Sequence, residues 1–410
     1  MDKKAALFTV FLVVLVDLMG FGIILPLLPF YASKFHATPL VIGLLYSVYS
    51  VAQLIFSPFW GSLSDRVGRR PIMLMSTLGA SGAYLLFAFS GSLPMLFLSR
   101  LLAGIMGGNI SAAQAYVADV TTPENRAKGM GLIGAAFGIG FTLGPAIAAI
   151  LIHPAGSEIF KAGGESLARF VTANPYSAPG FFAAAMSFVS FLLVLFKLPE
   201  TVRPGNLPDG VRIQRTGVFS VAFWRGLAGE KSSLLLLLLF SVFLLSMGQS
   251  SLYGAFPLFC DRILGLSPEK VGLQFMWMGV VSILVQGGLI RILVKRFAER
   301  KIFLVGNFLM ILGMALIPFA ASEPVLTAFL CLMALGGSLN GPTLTSLISK
   351  KADPSRVGSA MGTSQGLAAL GRVIGPPWGG LLFAMSFRAP FLVTAMLISG
   401  TLWAGSRLRK

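Results

Sequence analysis

At 410 residues, with 55% hydrophobic and only 11% charged side chains, the chain departs from a soluble domain, in which about a quarter of residues carry charge. A formal net charge of +17 would suggest a nucleic-acid partner in a soluble protein. Here the basic residues sit in short stretches between long apolar runs, which excludes that reading and leaves an all-α, multi-pass membrane protein.

The apolar runs able to cross a hydrocarbon core of ~30 Å number about twelve. They are 5–31, 40–62, 70–91, 93–118, 128–152 and 180–198, then 232–258, 268–291, 301–320, 324–349, 357–385 and 388–407. The first is too long for a signal h-region and lacks a small-residue cleavage site, so a mature helix is expected. With the N-terminus inside, Lys and Arg favour the inner loops by roughly four to one, the positive-inside pattern. It predicts both termini in the cytoplasm, and a cell (inner) membrane location is expected. Residues 199–231, rich in Arg, Pro and Gly, read as a cytoplasmic linker between six-helix bundles at 1–198 and 232–410. Residues 219–227 fit a short helix lying on the inner membrane surface.

The two halves repeat. Thr38-Pro39 and Gly43 return as Ser267-Pro268 and Gly272, Pro26 as Pro257, Asn109 as Asn340, Pro123 as Pro354, and Gly144-Pro145 as Gly375-Pro376. A near-constant spacing of about 230 residues indicates duplication, hence two pseudo-symmetric bundles with a site between them at membrane depth.

The densest polar stretch is 61–71, with Gly61, Asp65, Arg66, Gly68, Arg69 and Arg70 between the second and third spans. Charges this close belong at the water interface. Orientation alone explains the arginines but not Asp65 or the glycines. In the second half, 288–301 keeps the positive charge without that pattern, and orientation suffices there.

Asp17 is the acid that lies in the middle of a span. An intramembrane carboxylate is costly and marks a functional-site candidate; a structural contact between two helices is the alternative. Burial disfavours the charged form and a neighbouring cation favours it, so a group held between the two can load and release a proton near neutral pH. Arg100, in the fourth span, falls at nearly the same depth at 1.5 Å per residue. A structural clamp is the alternative for Arg100. Prolines and glycines from Gly20 to Pro29 should make the first helix irregular, which is tolerated where backbone lines a cavity.

These stretches resemble a known family. The spacing G-x-x-x-D-R-x-G-R-R at 61–70 resembles the loop signature of the major facilitator superfamily. The run D-x-x-G-x-G-x-x-x-P-x-x-P from Asp17 to Pro29 resembles the first helix of its twelve-helix drug/proton antiporters, the tetracycline efflux group among them. Leu98-Ser-Arg100-Leu-Leu-Ala-Gly104 is similar to that group's fourth-helix arginine motif, and Gly140-Phe-Thr-Leu-Gly144-Pro145 to its fifth-helix motif. Ala148-Ala149 stand where paired glycines are usual, while Gly379-Gly380 keep them in the second half.

The resemblance implies that Asp17 and Arg100 carry proton coupling. It implies that Arg66 or Arg69 pairs with Asp119, and that Asp65 meets the inner end of the eleventh helix near Arg356, the whole acting as an inner gate. Exposed ion pairs worth under ~1 kcal/mol each are the alternative. Gly140, Gly144 and Pro145 fit either close helix packing or a bend that seals the path. Candidate cavity residues are Tyr46, Tyr49, Gln53, Asn109, Gln114, Gln249, Tyr253, Asn307, Asn340 and Arg372.

One acid amid many aromatics and methionines suits a hydrophobic small-molecule substrate, with a cationic one included. The expected partners are that substrate, protons and membrane lipid; a monomer is expected. Cys260 and Cys331 read as buried thiols. No nucleotide loop and no metal-ligand spacing is present, and no G-x-S-x-G with catalytic partners argues for a hydrolase, so no cofactor, no metal and no enzymatic activity are expected. Three readings stand: proton-coupled export of hydrophobic drug-like compounds by alternating access; transport of an endogenous lipid, metabolite or sugar; and a non-transporting receptor or scaffold. The Asp17/Arg100 pair argues against the last.

Overall fold

The structure, a computed structural model, describes residues 3–153, 164–201, 233–352 and 357–407. Arg356 and the surface helix expected at 219–227 lie outside the described residues, as does the side chain of Asn109. Among the described residues there is no strand, and twelve helices are long and apolar enough to cross a membrane.

The first span is α1 (Lys3–Ile24) followed by α2 (Leu28–Ser33). The break falls at Pro26, and Pro29 opens α2, because a proline has no N–H to give and crowds the preceding turn. Hydropathy by itself predicts an unbroken run over 5–31. The following helices are α3 (Pro39–Val67), α4 (Arg69–Ala88), α5 (Leu93–Met106) and α6 (Ile110–Val120). Then come α7 (Pro123–Ile152), α8 (Glu165–Ala173) and α9 (Ser177–Lys197). A 3₁₀ turn at Gly107–Asn109 separates α5 from α6 within one span.

The second half holds α10 (Ser233–Arg262), α11 (Pro268–Leu284), α12 (Ile290–Arg296), α13 (Glu299–Leu316), α14 (Glu323–Lys351), α15 (Val357–Met385) and α16 (Ala389–Arg407). A π-helical turn at Val285–Leu289, containing Gly287 and Gly288, joins α11 to α12 in one span. Such turns absorb an extra residue without breaking the helix.

By packing, the chain forms two compact units. One comprises Met1–Ala37, Val48–Gln214 and Pro268–Met276; the other comprises Thr38–Ser47, Arg215–Ser267 and Trp277–Lys410. In the first, α1 packs along α7 and α9, and α4 along α9 and α5. In the second, α10 packs along α15 and α16, and α13 along α16 and α14. The same pairings recur in both, the structural counterpart of the sequence repeat. The core of the first unit gathers Val10, Val13, Val14, Trp60, Ile72, Met73, Tyr116 and Val194. Phe196, Leu284, Met385 and Met396 stand almost fully outward, a surface suited to lipid rather than water.

Candidate functional site

The stretch 61–71 folds as the junction of α3 and α4. Gly68 has φ 112 and ψ 156, a region essentially closed to side-chain-bearing residues, and the carboxylate of Glu200 lies where a Cβ on Gly68 would be. Glu200 caps α4: its Oε1 accepts from Arg69 N at 2.9 Å and its Oε2 from Arg70 N at 3.1 Å. These are two of the N–H groups a helix start leaves open, and the helix dipole favours an acid there.

The side chain of Arg69 then turns inward and is only 8% exposed as a residue. Its Nε meets Asp119 Oδ2 at 3.1 Å, and its Nη1 reaches Ser64 Oγ at 2.6 Å and Asp65 Oδ1 at 2.5 Å. Arg70 Nη2 donates to Leu195 O at 2.6 Å, on the last turn of α9. Thr201 Oγ1 donates to Asp119 Oδ2 at 3.1 Å, and Tyr116 Oη to Pro199 O at 3.1 Å. Of the two arginines offered for Asp119 by the sequence, Arg69 takes it and Arg66 stays exposed. Gly61 faces Ser111 of α6. The part played by 199–201 is not legible in the sequence, whose composition assigns these residues to the linker.

At membrane depth a second cluster forms in the same unit. Asp17 is half-buried on α1. One turn on, Gly20 leaves room for the hydroxyl of Tyr84, which lies 2.6 Å from where a Cβ would stand. Tyr84 is buried at 4% exposure, and Asp17, Arg100 and Tyr49 all act on it electrostatically. Arg100, at 2% exposure, places its Cζ 4.9 Å from the ring centre of Phe87 and 5.9 Å from that of Tyr84, within cation–π range. Tyr84 therefore links the two charges the sequence singles out, and sequence reasoning missed it. Its signal in the sequence was a phenol inside the third span. Beside it, the ring of Tyr49 lies 4.8 Å from that of Phe21, and Gln53 Nε2 donates to Gly107 O at 3.0 Å, at the 3₁₀ turn.

Gly140 and Gly144 pack α7 onto α1 in the turns next to Asp17. A Cβ on Gly140 would come 2.7 Å from Leu18 Cβ, and one on Gly144 would come 2.7 Å from Gly22 Cα. Backbones approach this closely only across small residues. The helix runs unbroken through Pro145.

In the other unit α15 meets α10 through Gly371, Gly375 and Gly379. Ser246 and Ser250 of α10 donate to Ala368 O and Gly371 O at 2.7 and 3.0 Å. Tyr46 and Tyr253 have ring centres 6.0 Å apart, and Arg372 acts electrostatically on Tyr253. Gln249 is exposed here, and so is Gln114 in the first unit.

Asn307 and Asn340 are buried in helix contacts. Thr401 Oγ1 donates to Asn307 Oδ1 at 2.7 Å, and Asn340 lies over Gly306 with its Nδ2 3.7 Å from Met310 Sδ. At the start of α13, Glu299 pairs with Lys350 of α14 at 2.8 Å and accepts from Ser346 Oγ at 2.8 Å. Arg300 donates to Gly405 O at 3.1 Å and Ser406 O at 2.7 Å.

Likeness to known proteins extends over nearly the whole chain. The family model described as Major Facilitator Superfamily matches residues 10–291 and again 238–405. The class B tetracycline resistance protein of Escherichia coli is 31% identical over 381 residues, covering 92% of this chain and 86% of that protein. Multidrug resistance protein 2 of Bacillus subtilis (strain 168) is 27% identical over 413 residues, covering 95% and 92%. Among solved structures, that of the human organic anion transporter MFSD10 (TETRAN) superposes with a TM-score of 0.69 at 26% identity, covering 99% of this chain and 100% of that one.

Proposed function

We propose, since this chain belongs to the major facilitator superfamily, that it is a proton-coupled secondary transporter exporting hydrophobic drug-like compounds by alternating access. That it is a multi-pass membrane transporter follows from its family and its twelve spans; direction, coupling and cargo are the proposal. The observation that carries it is the cluster of Asp17, Tyr84 and Arg100 at membrane depth. A half-buried carboxylate that acts on the same buried phenol as a buried cation has the chemistry to bind and release a proton. The names of the tetracycline and multidrug relatives support a drug-like cargo.

The halves 1–198 and 232–410, joined by 199–231, are proposed as the two moving bodies. The cluster around Arg69 is proposed as part of an inner gate. Both termini are proposed to lie in the cytoplasm, a reading that the positive bias of the connecting loops supports, and the cell inner membrane is proposed as the location.

In proteoliposomes with an imposed pH gradient, Asp17→Asn is expected to abolish gradient-driven efflux of a dye such as ethidium while leaving the protein folded. Undiminished efflux would remove Asp17 from the coupling step. An endogenous solute remains the second reading. Expression in an efflux-deficient host separates the two, since a drug exporter raises tolerance to dyes and antibiotics and a dedicated metabolite carrier does not.

A further inference from the structure

We infer that Arg372 is an anion-recognising group of the substrate site, and that the cargo includes hydrophobic molecules bearing an acidic group. This deepens the efflux reading and rests on it. Arg372 sits near the middle of α15, a helix of 29 residues, where an arginine facing lipid would be costly. The outward apolar side of that helix is Ile374, Leu381 and Met385, which at about 100° per residue lie roughly 180–220° round the axis from Arg372. Arg372 therefore points away from the lipid-facing side, and it is nevertheless exposed, as is Gln365 two turns earlier on the same side. It looks into an accessible interior face of its unit.

That face is closed just beyond Arg372. Gly43 packs on the backbone of Pro376 and Pro377, Gly380 packs on Pro39, and Ser47 Oγ donates to Val373 O. Below this ceiling stand Tyr46, one turn on from Gly43, and Tyr253 of α10, their rings 6.0 Å apart. A guanidinium fork acting on Tyr253, with the Tyr46 ring next to that phenol, matches a carboxylate or sulfonate attached to an apolar, aromatic body. The fork pairs with the acid in bidentate fashion, and the rings supply apolar contact and hydroxyl groups.

The charge balance agrees. Away from the ends of the spans, the charged side chains among the described residues are Asp17, Arg100 and Arg372. Of these three, Arg372 alone belongs to its unit, and at low dielectric it attracts an anionic guest. Arg372 thus points away from the cationic cargo that Asp17 alone suggests.

The test uses 1-pyrenebutyrate and its methyl ester, which differ by one charge. Binding to the purified full chain is read by energy transfer from its five tryptophans. Wild type should bind the acid about tenfold or more tightly than the ester, as one charge-assisted contact is worth. Arg372→Gln should bring the acid down to the ester's affinity without changing the ester's, and Arg372→Lys should keep part of the preference. Equal binding of acid and ester by wild type overturns the inference, and this arm needs no variant to fold. So does full acid affinity in a folded Arg372→Gln.

A proteoliposome arm with a pH gradient separates the two readings. Selective acid binding with no export of any probe rejects the efflux reading and leaves Arg372 as the anion group. Export of ethidium and the ester, with no binding of the acid, rejects the role of Arg372 and leaves efflux intact.

Discussion

The two halves of the chain solve one structural problem with opposite charges. In each, the helix that opens after the charged loop is tied to its neighbour by an ion pair: Arg69 with Asp119 in the first, Glu299 with Lys350 in the second. In each, an arginine at the start of that helix also holds the carbonyl end of the last helix of its half, Arg70 on Leu195 and Arg300 on Gly405 and Ser406. Carbonyls at a helix end attract cations, so this second contact keeps its sign while the ion pair reverses its own. A tie between two helices needs opposite charges in either order.

Only the first half goes further. Arg69 is buried and serves two acids and a serine, with Gly68 and Glu200 shaping the turn around it. Lys350, by contrast, keeps 65% of its side chain exposed against 16% for Glu299. A fold requirement is met in both halves, and the surplus in the first marks the place where we propose a gate.

The comparison can be broken in order of expected effect. Arg69→Ala should destabilise the purified protein most, by about 3 kcal/mol. It leaves Asp65 and Asp119 facing one another, and partial exposure of both reduces the loss expected of a fully buried pair; thermal unfolding in detergent measures it. Gly68→Ala should cost about 2 kcal/mol in the same assay, from a backbone angle closed to alanine, and should raise cysteine labelling at nearby inner-loop positions. Lys350→Ala should cost about 1 kcal/mol or less, because the lysine is mostly exposed and Ser346 still donates to Glu299.

The sharpest form of the test is exchange. Glu299→Lys with Lys350→Glu should restore wild-type unfolding, whereas Arg69→Asp with Asp119→Arg should not, because Asp65, Ser64 and Thr201 are set for the original order. Equal rescue in both halves would make the surplus around Arg69 decorative.

Much of this is legible in the residues alone. Class, span number and the duplication follow from hydropathy and spacing, because a helix crossing lipid must be continuous, apolar and about twenty residues long. Asp17 and Arg100 stand out for the same reason, since a charge at that depth is expensive wherever it points. Even the break near Pro26 is foreshadowed by its residues, though the end of α1 at Ile24 is not.

What stays hidden is a matter of which faces meet. Arg66 and Arg69 are equivalent on paper, and only the crossing of α4 with α6 puts Asp119 beside Arg69. Tyr84 is one more aromatic in an apolar run until the bare flank of Gly20 receives its hydroxyl. Glu200 reads as linker until the chain leaving α9 returns to cap α4. Asn307 and Asn340 look like cavity residues until α13, α14 and α16 close over them. Sequence by itself determined what must lie in the membrane, because solvation acts on each residue where it stands. The tertiary structure decided which polar groups face one another, because that depends on the rotation and crossing of helices far apart in the chain.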